Sequence, residues 1–395
     1  MRSRMKFTIG AAEVQSLATG WIQEHLRFSD YSRKCTCWVM LSVLLFAASR
    51  RRSIHEACAR LSGAPSDETI RQAVVATLPD GDELEQRINA ALADRLPKAF
   101  RKRKQILAID LTEVPYHGEP DCDPTEVRRG KPKSGTTHFH VYASAYAVRR
   151  GQRFTLAVTR VRAAEKMDAV VARLLRQVRA IGVKVRFLLL DKGFFSVDVV
   201  RYLQAARCGF LMPAFARGRK SPSPKPDSLH AFRARKASGW GRYSWTNAQG
   251  RRATAGIAIV CKNYRGQRKR HGRRTQLYAY WGIEPASHEW VYETYRKRFG
   301  IETSYRQMNE ARIRTSSRNP LLRFLFVGLA LILRNVWVWC HLNWLAVKRG
   351  RGIYLREELL RLGEMLLWLQ HLVEEEFGLC MLKNIPPPSP GNAHD

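Results

Sequence analysis

Acidic residues are scarce in this chain: 34 Asp and Glu stand against 68 Lys and Arg, a formal net charge of +34. Such an excess repels itself in the folded state and excludes a self-neutralised surface, so an acidic partner is expected. Nucleic acid is the leading partner, because Lys and Arg release counterions from a phosphate backbone. A membrane surface is the alternative. Paired cysteines are also scarce. Of eight Cys, only Cys35 and Cys37 are close in sequence, and no second Cys or His pair follows at zinc-site spacing. Reduced thiols in the cytoplasm are expected. The basic residues 1–10 contain no apolar core of a secretory signal. No membrane span is expected either: the longest apolar stretch of the C-terminal part, residues 324–333, stops at Arg334 and Asn335, short of the ~20 residues a span needs. Hydrophobic residues themselves are plentiful at 45%, with 10 Trp, which excludes a disordered basic tail. A length of 395 residues suggests two or three domains.

Residues 11–96 read as helical. Ser53 and Glu56 have the capping-box spacing, with a helix expected to about Leu61. A turn at residues 62–65 follows, and Ser66 caps a second helix to about Ala76. Helix, short turn, helix is the outline of a helix-turn-helix, with Arg71 and Gln72 as exposed DNA contacts. Residues 97–104 form a basic spacer. The run 105–115 is apolar up to Asp110 and reads as a buried strand ending in an acid. Residues 136–148 and 153–161 alternate like strands joined by a hairpin. Residues 165–181 are helical, and 185–190 form a second apolar strand that ends in Asp191. A helix over 196–207 and a short strand over 209–213 complete a mixed α/β sheet.

Residues 213–280 hold 17 Lys or Arg and one acid, Asp227. Strand-like pieces at 242–246, 255–261 and 276–283 make this a basic, β-rich insertion suited to lie along phosphates. Its tip carries Arg268, Lys269, Arg270, Arg273 and Arg274. One helix capped by Ser287 is then expected to run without a break past Asn309. At 100° per residue from Tyr295, Arg298 falls at about −60°, Glu302 at about −20°, Asn309 at about −40° and Arg306 at about +20°. All share one face. Two helices, residues 321–347 and 355–377, should pack on the sheet, and residues 386–395 should be disordered.

Three acids stand out by position: Asp110 and Asp191 at strand ends, and Glu302 on a helix beside a Tyr/Arg face. Carboxylates so placed can bind two divalent metals about 4 Å apart, and magnesium prefers such oxygen ligands. Asp110-Leu111-Thr112, Asp191-Lys192-Gly193-Phe194 and Tyr295-x2-Arg298-x3-Glu302 resemble the three signature blocks of the DDE transposases of the IS-four superfamily. The wording around the first and third blocks is most similar to its halophile-type subgroup. The resemblance covers roughly residues 106–319. It implies an RNase H-like core over 105–213 and 286–319, split by the β-rich insertion 214–285. This core is flanked by a helical DNA-binding region, 1–104, and by C-terminal helices, 320–385, that could dimerise.

By that resemblance Asp110, Asp191 and Glu302 are the catalytic metal ligands for two Mg²⁺ or Mn²⁺ ions, and Tyr295 and Arg298 contact DNA near the cleaved end. The family often carries Lys seven residues after the Glu. Asn309 stands there and supplies no charge, which Arg306 could replace. Trp240, Trp245 and Trp281 are candidates for an aromatic that stacks on a displaced base, against a core role for each. The implied activity is cleavage of double-stranded DNA at the terminal inverted repeats of an insertion sequence, then strand transfer into target DNA. It would be cut-and-paste, with a hairpin route open, on a homodimer in the nucleoid. A catalytically silent DNA-binding repressor and a general nuclease are the alternatives.

Overall fold

The computed structural model describes residues 8–119, 124–149, 152–216, 224–266, 271–349, 352–354 and 356–380. The chain opens with six helices: α1 (Ala11–Leu26), α2 (Cys37–Ser49), α3 (Ile54–Cys58), α4 (Asp67–Thr77), α5 (Gly81–Ala93) and α6 (Ala99–Lys102). Ser53 and Glu56 form the reciprocal cap at the start of α3, each side chain taking the other residue's backbone N–H. α3 ends at Cys58, before the expected Leu61, because Leu61 leaves the helix to bridge Leu379. Arg71 and Gln72 on α4 are exposed but engaged on their own helix. Arg71 pairs with Asp67 at 3.3 Å and with Glu68, and Gln72 donates to Glu68 at 3.0 Å.

The sheet follows: β1 (Gln105–Tyr116), β2 (Val127–Lys133), β3 (Thr136–Ala147), β4 (Thr155–Val161), helix α7 (Met167–Ala180), β5 (Val185–Leu190), α8 (Val197–Ala205) and β6 (Phe210–Pro213). After a short α9 (Leu229–Ala234) come β7 (Gly239–Thr246), β8 (Arg252–Arg265) and β9 (His271–Trp281). β1, β5 and β6 run parallel; β3 joins β1 antiparallel and carries both β2 and β4. β9 pairs antiparallel with β6, so the three strands of the basic 214–285 segment extend the same nine-stranded sheet. The burial of β3 and β4 on nearly every residue shows a sheet covered on both sides.

α10 (His288–Arg296) starts at the expected Ser287 cap, whose hydroxyl accepts the Trp290 N–H at 3.0 Å. The expected unbroken helix is two helices, with a corner at Lys297–Arg298 before α11 (Phe299–Glu310). There the N–H groups of Lys297, Arg298 and Gly300 bond three residues back, to Thr294, Tyr295 and Lys297, which tightens the backbone locally while Lys297 and Arg298 keep helical dihedrals.

α12 (Pro320–Cys340) is followed by a π turn, His341–Leu345. By length and composition this helix could cross a membrane, but 94% of its apolar window is buried inside the protein. As expected, the helix runs on through Arg334 and Asn335, where the apolar stretch ends, and both side chains are satisfied internally. Arg334 donates to Gln307 at 3.1 Å and to the Arg153 carbonyl at 2.7 Å. Asn335, fully buried, accepts the Thr155 N–H at 3.0 Å and donates to the carbonyls of Thr155 and Leu92 at 2.8 and 3.3 Å. It therefore fastens α12 to both β4 and α5. Asn335→Leu keeps the branching of the side chain but strands these backbone groups, and is expected to cost about 3 kcal/mol in urea unfolding, at 1–3 kcal/mol per buried orphan.

A small hairpin, β10 (Val347–Arg349) and β11 (Gly352–Tyr354), precedes α13 (Leu362–Phe377). This last helix starts later than the expected residue 355, because the Leu360 carbonyl is taken by the side chains of Trp337 and His341. α13 packs on α1 and α2, closing the N-terminal helices against the chain's end. The tail 386–395 lies outside the described residues.

Candidate active site

The sheet register brings two acids together. The β1–β5 pairing ends at Ile109 opposite Leu190, so Asp110 and Asp191 are the next residues on adjacent parallel strands. Asp191 follows the end of β5 as expected. Asp110 does not end β1, which continues to Tyr116, paired with β3 alone, because β5 stops one residue before it. The third acid, Glu302, lies in the first turn of α11. Tyr305, one turn on, fixes that helix to the sheet. Its buried hydroxyl donates to the Asp110 carbonyl at 2.7 Å and meets the Ser144 hydroxyl of β3 at 2.8 Å.

The helix corner aims Arg298 at all three acids. Its Nη1 donates to Asp110 Oδ2 at 2.6 Å, and its Nη2 reaches Glu302 Oε1 at 2.7 Å and Asp191 Oδ1 at 3.6 Å. Its Nε donates to the Tyr295 hydroxyl at 3.0 Å. Arg298 and Tyr295 are buried, at 4% and 6% exposure. The sequence placed both against DNA; Arg298 is turned to the carboxylates, whereas Tyr295, though mostly buried, still lines the cavity beside them. Exposure of the acids rises outward, with side chains at 16% for Asp110, 34% for Asp191 and 53% for Glu302.

Burial pushes the Asp110 carboxyl up to about 6, against the pull of Arg298 and with help from the Asp191 charge. The sign follows. Between pH about 4 and 6 the folded protein binds more protons at Asp110 than the unfolded chain, so this residue's contribution is present at low pH and lost as pH rises through that window. Asp110→Asn is expected to remove about 2 kcal/mol of pH dependence, measured by urea unfolding at pH 4 and pH 6.5.

The donor set suits a hard divalent cation: three carboxylates from three elements, already gathered by one cationic group standing between them. With the guanidinium there, they are not close enough to share one ion. Among the described residues, the group that does meet that spacing is Glu24, His25 and Asp94 on the N-terminal helices. It is half-exposed and already matched by Arg95, at 3.7 Å from Glu24 and 3.2 Å from Asp94.

Beside the acids opens a cavity of about 1330 Å³. Lys192, Arg233, Arg235, Lys236, Arg273, Arg274 and Arg296 line it, with Tyr278, Tyr292 and Phe299 between them. Arg273 and Arg274 were expected in such a place; Arg268, Lys269 and Arg270 lie outside the described residues. Lys192, Arg296 and Phe299 were missed, though each directly neighbours or lies within three residues of a signature residue. Arg306 is exposed and donates to the Thr303 hydroxyl at 3.5 Å. Asn309 supplies no charge but holds one: its Oδ1 accepts from Arg312 Nε at 3.1 Å.

The three Trp differ. Trp245 is stacked on Phe195 and Tyr243, and Trp281 is packed against the core. Trp240 is 42% exposed and stacks one face on His288 at 4.2 Å.

The family described as Transposase DDE domain matches residues 101–336. A solved structure described as a cryo-EM structure of the piggyBac transposase synaptic complex with hairpin DNA superposes with a TM-score of 0.53 at 12% identity, covering 98% of this chain and 88% of that one. The fold is accordingly RNase H-like, a mixed sheet with helical regions at both ends. No curated protein sequence matches this chain.

Proposed function

We propose, from the premise that this chain belongs to the DDE transposase family, that it cuts the ends of an insertion sequence and joins them to target DNA. The observation that carries this reading is the convergence of Asp110, Asp191 and Glu302 on the single guanidinium of Arg298, at the mouth of a groove lined by cations. The Tyr-x2-Arg-x3-Glu spacing supports placement in the IS-four superfamily.

Asp110, Asp191 and Glu302 would hold two Mg²⁺ or Mn²⁺ ions, which when bound neutralise charge developing at phosphorus and activate the attacking oxygen. The chain's own residues do the rest. Arg273, Arg274, Arg233 and Arg235 grip the phosphates of the substrate strand. Lys192 and Arg296 hold it beside the acids. Phe299, 45% exposed at the rim, offers a ring face to a base. Trp240 is the one of the three Trp with a free face for the same task. Arg298 and Tyr305 set the spacing of the acids rather than touching DNA, and Arg312, positioned by Asn309, replaces the cation that the family often carries at Asn309. Water attacks the phosphodiester at the element end and frees a 3′-OH, and that hydroxyl then attacks target DNA. In-line displacement serves both steps, so one site suffices.

The test is incubation of the purified protein with the DNA that flanks its coding sequence, with Mn²⁺. Nicks at inverted repeats, lost when the repeats are scrambled, are expected. Hairpin ends among the products would identify the second-strand route. Binding without any cleavage would reject this reading in favour of a silent repressor.

A further inference from the structure

We propose that this protein has a second DNA-backbone site, on the side of the helix corner away from the cavity beside the acids. A groove of about 630 Å³ lies at the start of β1 and β5. Six cations line it: Arg103, Lys104, Arg149, Arg153, Arg186 and Lys297. Its floor is apolar, from Ile106, Tyr146 and Val148, and no acid lines it.

Three observations point to a polyanion. First, none of the six cations has an ion-pair partner among the described residues, whereas Arg298, in the same helix pair as Lys297, pairs with Asp110 at 2.6 Å. Like charges gathered in one hollow repel each other and persist when a shared counter-anion offsets them. Second, the groove is assembled from four separate segments: the approach to β1, the β3–β4 connection, the start of β5 and the α10–α11 corner. A solvated charge run on one helix face would not need this. Third, the corner itself is a dividing wall. Tyr295, Arg296 and Phe299 line the cavity beside the acids, whereas Lys297 and Gly300 line this second groove. A single helix, about 10 Å across, separates the two basic surfaces. Along β1 the second groove at Gln105 lies five residues, about 17 Å, from Asp110.

Duplex DNA fits this pattern: a row of phosphates against unpaired Arg and Lys, while Gln105, the one amide in the lining, spends its Nε2 on the carbonyls of Ala99 and Arg103. The inference rests on the reading of DNA as substrate but not on cleavage. Two sources could supply the phosphates, a further stretch of the duplex being cut or a second duplex.

The experiment measures binding of the full-length protein to a fluorescent 40-base-pair duplex of arbitrary sequence, without metal, across a salt titration. The variant R103Q/R149Q/R153Q/R186Q replaces four exposed or half-exposed cations and spares Lys297 beside the catalytic corner. Its slope of log affinity against log salt is expected to be shallower by about 3, from about 0.9 per phosphate contact. The charge-preserving variant R103K/R149K/R153K/R186K should keep the parent slope. Coincident slopes for the Gln variant and the parent would overturn the proposal. A second arm asks whether protein on a bead-bound duplex captures a second, labelled duplex. Capture lost in the Gln variant assigns the groove to a second duplex, and capture retained alongside a shallower slope assigns it to the same duplex. Failure of the enzyme reading looks different: the parent would not cleave while the slopes still differed.

Discussion

Glu302→Gln is expected to lower divalent-ion-dependent strand cleavage at least 10³-fold while leaving duplex affinity within about twofold. The size follows from removing one preorganised charge at the reacting phosphate, where single deletions cost 10²–10³ or more. The retention of binding follows from position. Glu302 is half-exposed in the first turn of α11, and its described bond is the one from Arg298. Gln is isosteric, and loss of so exposed a charge should change stability by less than about 1 kcal/mol. The cations that grip DNA lie on other elements. Asp110→Asn and Asp191→Asn should behave alike, and cleavage by the triple variant under the same conditions would reject the site.

Arg298→Met is expected to destabilise the protein by about 3 kcal/mol, the usual scale for removing one partner of a buried ion pair. Asp110 suffers most, being the least exposed of the acids and the one bonded at 2.6 Å. The sharper expectation concerns metal. Without the guanidinium the three carboxylates repel one another, and a divalent ion can occupy the space it leaves. Mn²⁺ should therefore raise the melting temperature of Arg298→Met by several degrees more than that of the parent. Equal shifts, or a variant as stable as the parent in EDTA, would show that Arg298 does not hold the acids together.

Local rules made much of the chain legible. Apolar runs marked β1 and β5 because buried parallel strands must be apolar on both faces, and the acids after Ile109 and Leu190 broke those runs visibly. Ser53, Ser66 and Ser287 announced helix starts through side-chain oxygens that serve the orphan N–H groups. What stayed hidden was tertiary. β2 has the sequence Val-Arg-Arg-Gly-Lys-Pro-Lys, which carries no alternation; it is a strand only because β3 offers it an edge. Arg298 lay on the expected helix face, but periodicity cannot tell whether a face meets solvent or carboxylates across a sheet. The corner at Lys297–Arg298 decided that, and neither Pro nor Gly sits at either residue to mark it. Arg312, beyond the end of α11, was invisible for a similar reason, since its place depends on the hydrogen bond it donates to Asn309.

The pairing of β9 with β6 gives the basic segment a second duty. Four apolar-rich residues, Phe210–Pro213, form β6, and both of its hydrogen-bonding edges are taken, one by β5 and one by β9. Nothing at that position carries the charges or bulges that natural edge strands use against self-association. The basic segment is therefore also a cover for the sheet that carries Asp110 and Asp191. Removing β9 would expose a bare apolar strand edge, so solubility sets a lower limit on the segment's length whatever its arginines do.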